Sequence, residues 1–102
     1  MEGVTIEIQD GTLYVAVEGK LDTMRAMSLD EKLNEITEDF INLCFDFAGL
    51  TYIASAGLRI LYWAQEYIEE SEGTLLVKNV GPEVYEIFDM TGFAQVINIE
   101  RG

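Results

Sequence analysis

The sequence predicts an α/β fold, with a mostly parallel five-stranded sheet, an N-terminal antiparallel hairpin strand and three main helices. Two segments of alternating apolar and polar residues flank Asp10-Gly11, a dipeptide that favours a tight hairpin turn. After this hairpin, short apolar runs alternate with segments of helical period, which is typical of parallel strands joined by crossover helices. The 102 residues are expected to form one domain, 1–102, that needs no disulfide or metal to fold.

The first helix is predicted to follow Gly19, where the second hairpin strand is expected to end. Asp22 or Thr23 is expected to cap its N-terminus, because their side-chain oxygens can accept hydrogen bonds from unpaired backbone N–H groups. Apolar residues at spacings of three and four predict the buried stripe of this helix, which contains Ala26, Leu29, Leu33 and Ile36.

The middle of the chain predicts a strand, a short connection and a second helix. Residues 41–47 are nearly continuously apolar, as in strands that are covered on both faces. Residues 49–55 are predicted to connect this strand to a helix over residues 56–70. At about 100° per residue, the buried stripe of that helix is expected to contain Gly57, Ile60, Leu61, Ala64 and Ile68.

The last third of the chain predicts a strand, a helix and a final strand. Residues 74–80 are expected to form the first of these strands, and Pro82 opens the helix, where a missing N–H costs nothing. Gly92 is expected to end this helix, and residues 94–99 are predicted to form the last strand. The buried stripe of the third helix is expected to contain Val84, Ile87 and Phe88.

The composition excludes several classes of function. Six Lys and Arg against nineteen Asp and Glu give a net charge of −13, which repels phosphate backbones and anionic lipid headgroups. We therefore expect protein partners with basic surfaces, and neither nucleic acid nor membrane. The chain has no long apolar run and no signal-like N-terminus, which fits a cytoplasmic protein. Cys44, in an apolar run, is expected to be a buried, inert thiol.

Catalytic and cofactor chemistry have little support in the sequence. The chain contains no histidine, which removes Ser-His and Cys-His catalysis and every His-based metal site. It also lacks the glycine-rich phosphate loops GxGxxG and GxxxxGK[ST] and any regular metal-ligand spacing. We therefore expect no cofactor, no bound metal and no enzymatic activity.

Ser55 lies where the connection meets the second helix, and three hypotheses apply to it. The local pattern favours a helix N-cap, since Ser is a preferred capping residue. The second hypothesis is a phosphorylation site, because a helix N-terminus offers free N–H donors and partial positive charge to a phosphate. The third is a catalytic nucleophile, which the sequence disfavours because the chain has no histidine to act as base, and Lys20 or Lys78 would need independent proof of that role.

Four segments in order resemble the STAS-domain family of bacterial anti-sigma factor antagonists. Residues 17–23 (VEGKLDT) are similar to its Gly-x-Leu-Asp segment, and residues 43–50 (LCFDFAGL) to its central strand with Asp-x-x-x-Leu. Residues 52–58 (YIASAGL) resemble its phosphorylation loop, Asp-Ser-[Ser/Thr]-Gly-Leu. Residues 80–93 (VGPEVYEIFDMTGF) resemble its last helix, which ends in Phe-Asp-x-[Ser/Thr]-Gly. The resemblance covers essentially the whole chain and implies a STAS-like fold.

The resemblance also implies a regulatory function. In this family the unphosphorylated antagonist binds an anti-sigma factor that is also a serine kinase, and the sigma factor is released. Phosphorylation of the loop serine, which matches Ser55, abolishes binding, and a phosphatase restores it. Asp22 matches the aspartate of the first segment. The predicted partner-binding surface comprises Asp22, Thr23, Ala54, Ser55, Ala56, Gly57, Arg59 and Trp63.

Two residues depart from the family pattern. Ala54 stands where the family has aspartate, and Ala56 where it has a hydroxyl residue, so Ser55 is the only hydroxyl at this turn. One alternative is therefore a STAS scaffold subunit of a sensory or lipid-transport assembly, without a phospho-switch. Another is an enzyme with Ser55 as nucleophile, or a small-molecule carrier that uses the sheet edge. The sequence makes no prediction of the oligomeric state.

Trp63 is singled out by its position on the second helix, independently of the family. The helical wheel places Trp63 beside Arg59 and Glu70, on the flank of the buried stripe. Part of its ring is therefore expected to remain in water. The indole either packs at the rim over a neighbouring loop or serves as an interface anchor.

Overall fold

The computed structural model describes residues 2–102. In this range the strands are β1 (Val4–Gln9), β2 (Thr12–Val17), β3 (Gly19–Leu21), β4 (Asn42–Asp46), β5 (Leu50–Ile53), β6 (Leu75–Val80) and β7 (Ile99–Arg101). The helices are α1 (Thr23–Asn34), α2 (Ser55–Glu70), α3 (Pro82–Thr91) and α4 (Phe93–Val96).

A five-stranded, mostly parallel sheet in the order β1-β2-β4-β6-β7 confirms the predicted fold class. β1 pairs with β2 in antiparallel register, and the remaining neighbours pair in parallel. Asp10 (φ 51°) and Gly11 (φ 77°) form the hairpin turn between β1 and β2. Positive φ at both central positions matches the right-handed twist of the two strands, which explains the Asp-Gly pair.

β3 and β5 form a separate two-stranded parallel sheet that the sequence did not predict. The expectation that Gly19 ends the second strand is wrong, because β2 ends at Val17 and Gly19 begins β3. Residues 49–55, expected to be a connection, contain β5. Both strands are short and lead at once into a helix, so neither shows the long alternation that identifies a strand in a sequence.

The predicted helical stripes are buried in the core. The buried residues include the whole predicted α2 stripe, together with Ala26, Leu29 and Leu33 of α1 and Val84 and Phe88 of α3. Ile36 lies beyond the end of α1, and both it and Ile87 are only partly buried. Each fully buried large apolar side chain contributes roughly 1.5–3 kcal/mol, so this packing holds the helices against the sheet.

The opposite face of the five-stranded sheet is partly open to solvent. Tyr14, Cys44 and Leu76 lie in register on this face of β2, β4 and β6. Tyr14 is 40% exposed and Leu76 is half-buried, whereas Cys44 is buried as predicted. β4 itself is buried on both faces at its centre, over residues 43–45, as expected for the run 41–47, whereas Asn42 and Asp46 at its two ends are half-buried. The apolar run arises because Cys44 lies between two large neighbours on the same face.

The end of the chain also differs from the prediction. Residues 94–99 were expected to form a strand, but α4 occupies the start of this segment and β7 begins only at Ile99. The Phe93 ring lies 6.5 Å from that of Phe88, and Ile97 is buried. One helical turn keeps Phe93 and Ile97 against the core, whereas an extended segment would send successive side chains to opposite faces.

Candidate partner-binding site

α2 begins at Ser55, with Ala54 in the capping position. Ala54 has no side-chain oxygen, and the start of α2 has no side-chain capping hydrogen bond. The N-cap hypothesis for Ser55 is therefore wrong. Ser55 is the first helical residue and its side chain is exposed. The unpaired N–H groups of a first helical turn carry partial positive charge, so a negative charge on the Ser55 hydroxyl would be tolerated here.

The pairing of β3 with β5 places the starts of α1 and α2 side by side. Leu21 lies opposite Ile53 in the parallel register, and each strand leads directly into a helix. The Ala54 N–H extends this pairing by donating to the Leu21 carbonyl at 2.9 Å. Asp22 and Ser55 therefore border the same surface, although they are far apart in the sequence.

Asp22 caps α1, as predicted for Asp22 or Thr23. Its Oδ1 accepts a hydrogen bond from the Arg25 backbone N–H at 2.9 Å. The Arg25 guanidinium donates to the carbonyl of Lys20 and, at 3.4 Å, to that of Glu2. Sequence reasoning missed this tie between α1, β3 and the N-terminal segment, because its acceptors are backbone carbonyls and no residue type marks them.

Gly57 allows α2 to approach β3 and β5 closely. A Cβ at Gly57 would lie 2.7 Å from Ile53 Cγ1 and 3.0 Å from Leu21 Cδ2. Ala54 and Gly57 are buried, so these two predicted site residues position the backbone and present no exposed side chain. Ala56 is half-buried. The predicted site residues with exposed side chains are Asp22, Thr23, Ser55, Arg59 and Trp63.

A groove with a volume of about 260 Å³ lies between α1 and α2. Three of the predicted site residues on α2 line this groove, namely Ala56, Arg59 and Trp63. The α1 wall, which includes Met27 and Asp30, was missed by sequence reasoning. A helical wheel describes the face of one helix and does not show which neighbour that face meets.

Trp63 is 41% exposed, in agreement with the helical wheel. Its ring stacks on that of Tyr67, with the centroids 5.5 Å apart and an angle of 30° between the planes. The indole therefore packs on its own helix on one side and borders the groove on the other.

The family follows from a comparison with known proteins. A family model described as the STAS domain matches residues 3–102. The chain belongs to the STAS domain family. This STAS domain is 25% identical over 96 residues to the anti-sigma-B factor antagonist of Bacillus subtilis. The aligned region covers 94% of this chain and 88% of that protein.

Solved structures of similar fold agree with this assignment. The STAS domain superposes on the anti-sigma factor antagonist SpoIIAA in its unphosphorylated form with a TM-score of 0.81 at 17% identity, covering 94% of this chain and 86% of that one. For an anti-sigma factor antagonist from Mycobacterium paratuberculosis the TM-score is 0.83 at 23% identity, with 97% and 85% covered. The STAS-like fold implied by the four sequence segments is confirmed.

Two further properties bear on the chemistry of this STAS domain. Across residues 2–102, no group of three or more His, Cys, Asp or Glu side chains is arranged to hold a metal ion. None of the helices in that same range combines the length and the apolar character needed to cross a membrane.

Proposed function

We propose that this STAS domain is an anti-sigma factor antagonist that binds its anti-sigma factor through the surface around Ser55 and loses that binding when Ser55 is phosphorylated. The observation that carries the proposal is the exposed hydroxyl of Ser55 at the first position of α2, beside the N-terminus of α1. The anti-sigma-B factor antagonist that the chain resembles over most of its length supports the same role. The proposed partners are an anti-sigma factor with serine kinase activity and a phosphatase, in the cytoplasm.

The chain itself can accommodate a phosphate on Ser55. The first turn of α2 offers partial positive charge, and Arg59 lies one turn further along the same face with its side chain exposed. Asp22 opposes the phosphate, but one of its oxygens already accepts the Arg25 N–H. Phosphorylation is therefore expected to leave the fold of this STAS domain intact.

A docked partner would tolerate the same phosphate poorly. The partner would have to desolvate a group of charge about −2 that stands next to the Asp22 carboxylate. If the partner provides no matching cation, the loss of affinity is expected to be about 100-fold or more. No rearrangement of the STAS domain is required, because the charge itself lies in the contact surface.

Because Ala54 and Ala56 flank Ser55, the proposed phosphorylation site is a single residue. Neither can be phosphorylated, so Ser55 is the only acceptor at the start of α2. Ala54 is buried and removes the acidic neighbour that the family pattern places before the serine. We therefore propose that the kinase recognises the exposed face of α2, including Arg59, rather than a carboxylate immediately before Ser55.

Calorimetric titration against purified anti-sigma factors of the source organism tests the proposal. Ser55→Ala is expected to bind as the unaltered chain does, because the hydroxyl is removed without adding charge. Ser55→Asp is expected to weaken binding about tenfold or more, as a partial mimic of the phosphate. Ser28→Asp is the matched control, since Ser28 is an exposed α1 residue that lies beside Glu2 and Arg25, outside the α1–α2 groove.

Other results of these experiments would distinguish the antagonist from the scaffold and the enzyme hypotheses. Equal affinities of Ser55→Ala and Ser55→Asp, with no phosphate transferred from ATP by the bound kinase, would favour a scaffold without a phospho-switch. No binding of the unaltered chain to any anti-sigma factor would remove the proposal. Hydrolysis of an activated ester that is lost in Ser55→Ala would support the enzyme alternative instead.

A further inference from the structure

Three aromatic rings form a row along the outer side of α2. We define this aromatic row as Trp63, Tyr67 and Phe40. Tyr67 stacks on Trp63, and the Phe40 ring lies 5.5 Å from that of Tyr67 at an angle of 35°. Trp63 and Tyr67 remain 41% and 40% exposed, although each contacts another ring. Ordered aromatic rings that stay partly in water are typical anchors of protein interfaces.

The aromatic row continues the groove between α1 and α2. Trp63 belongs to both, and the groove adds Met27, which is 61% exposed, and the half-buried Ala56. Because α1 and α2 begin side by side, the combined apolar strip starts near Ser55 and ends at Phe40. The strip follows α2 for about three helical turns, from Ala56 to Tyr67.

Carboxylates surround the aromatic row. On α2, Glu66 and Glu70 follow Trp63 by three and seven positions, and both are exposed. Asp30 stands on the α1 wall of the groove, and Glu38 and Asp39 immediately precede Phe40 with exposed side chains.

The cations near the strip are few. Arg59 is the basic residue of the groove lining, and it lies at the end near Ser55. The half of the strip that contains the aromatic row therefore has an apolar centre and an acidic margin.

We propose that this strip binds a cationic amphipathic helix of a partner protein. Apolar side chains of the helix pack against Met27, Trp63 and Tyr67, and Lys or Arg side chains at its flanks pair with the surrounding carboxylates. A helix fits because the strip lies between two helices and beside one of them, with no free strand edge to which an extended peptide could add. A helix also brings its own backbone hydrogen bonds, so none of its polar groups is buried unpaired.

The charge of this chain argues against two other ligands for the strip, namely a second copy of the chain and an anionic membrane. A second copy of this chain also carries a net charge of −13, so two acidic margins would face each other. Anionic lipid headgroups would be repelled in the same way. A partner segment with several Lys or Arg residues gains from both the apolar centre and the acidic margin. The aromatic row lies further along α2 than Ser55, so this proposal does not depend on the phosphorylation of Ser55.

The first experiment measures binding of a defined probe to the full chain. A fluorescein-labelled 18-residue peptide of Leu and Lys, with Leu at helical spacing, is titrated at physiological salt and followed by fluorescence anisotropy. Saturable binding is expected, and Trp63→Ala and Tyr67→Ala should each weaken it about tenfold. Tyr62→Ala is the matched control and should stay within about twofold, because Tyr62 is 52% exposed on another face of α2.

The second experiment uses Trp63, the only tryptophan of the chain, as its reporter. In the unaltered protein, the Leu/Lys peptide should shift the Trp63 emission to shorter wavelength, while a scrambled peptide of the same composition and a Leu/Glu peptide should not. This readout needs no substitution, so it stands even where an alanine variant fails to fold. Equal binding by Trp63→Ala, Tyr67→Ala and Tyr62→Ala, or an unchanged Trp63 emission at saturation, would overturn the inference, since each outcome indicates general attraction between opposite charges.

Discussion

Gly57 is the residue on which the geometry of the Ser55 surface depends. Its missing side chain lets α2 approach Ile53 of β5 and Leu21 of β3, next to the hydrogen bond from the Ala54 N–H to the Leu21 carbonyl. The alternative role of a helical glycine, a flexible point in the helix, is not needed here, because Gly57 is buried and lies on the stripe that faces the core.

We expect Gly57→Ala to destabilise the protein by about 1–3 kcal/mol, the usual cost of overpacking a close contact. Helix propensity alone would give the opposite sign, because alanine is favoured over glycine by about 1 kcal/mol within a helix. Urea unfolding followed by circular dichroism distinguishes the two effects. Ser55→Ala, two positions earlier and exposed, is the control and should change the free energy of unfolding by less than about 0.5 kcal/mol. A gain in stability for Gly57→Ala would contradict the close approach.

Asp46 at the end of β4 has a carboxylate that the fold holds through two hydrogen bonds. Its Oδ1 accepts hydrogen bonds from Asn79 Nδ2 at 3.0 Å and from the Ala48 N–H at 3.0 Å. The bond from Asn79 is the main cause that holds the pKa of Asp46 below its ordinary value of 3.8, with partial burial acting in the opposite direction. Asn79 itself has φ 60°, a conformation that asparagine and glycine adopt more readily than other residues.

We expect Asn79→Gly to raise the pKa of Asp46, because the substitution removes the donor and still suits the positive φ. The folded pKa of Asp46 is lowered, so the ionised carboxylate stabilises the native state at neutral pH, and this contribution is lost as the pH falls below about 4. Asn79→Gly should therefore show a smaller loss of stability on acidification below that pH. Carbon-13 NMR titration of the Asp46 carboxyl group measures the pKa directly, and Asp46→Asn should remove the same part of the acid dependence. An Asp46 pKa that does not change in Asn79→Gly would disprove the role of Asn79.

At the level of elements, the regular segments of the fold were predictable and the shortest ones were not. The hairpin and the buried stripe of α2 follow from periodicity, because one face of each element must meet the core. β5 was missed, since four residues with two exposed at the centre carry no alternating pattern. The strand expected over residues 94–99 was wrong because the packing of Phe93 on Phe88 overrides local β-propensity.

The same distinction applies to the candidate site. The position of Ser55 at the start of α2 was predictable, because the long helical period of α2 begins directly beside it. The meeting of α1 and α2 was not, because it depends on the pairing of β3 with β5. Met27 and Asp30 consequently entered the site only through the tertiary structure.

The start of α1 depends on a single side-chain cap, in contrast to the start of α2. Asp22→Ala is expected to lower the free energy of unfolding by about 1 kcal/mol, because the Arg25 N–H loses its acceptor and the first turn loses a favourable negative charge. Thermal and urea unfolding measure this change. Thr23→Ala at the next position is the control and should have a smaller effect. If both substitutions cost the same, the cap assigned to Asp22 would be incorrect.

At the scale of the whole molecule, the excess of carboxylates is not balanced by local pairing. The chain carries nineteen acidic and six basic side chains. Among the described residues, the ion pair within 4.0 Å is that of Lys32 with Glu35, at 3.9 Å and with both side chains largely exposed. An exposed pair of this kind contributes at most about 1 kcal/mol, so the native state retains most of its self-repulsion. Added salt should therefore change the stability of this protein more by screening the repulsion between carboxylates than by weakening ion pairs.

We expect the melting temperature to rise when sodium chloride is increased from about 10 mM to about 150 mM, because the Debye length falls from about 30 Å to about 8 Å and the carboxylates repel one another less. A gain of about 1 kcal/mol would appear as a rise of about 4–8 °C for a domain of this size. Differential scanning calorimetry at fixed pH provides the measurement. Screening saturates within this range, whereas stabilisation through exclusion of salt from the protein surface continues to molar concentrations, so the shape of the curve identifies the cause. A melting temperature that falls over the same range would show that favourable ion pairs outweigh the repulsion.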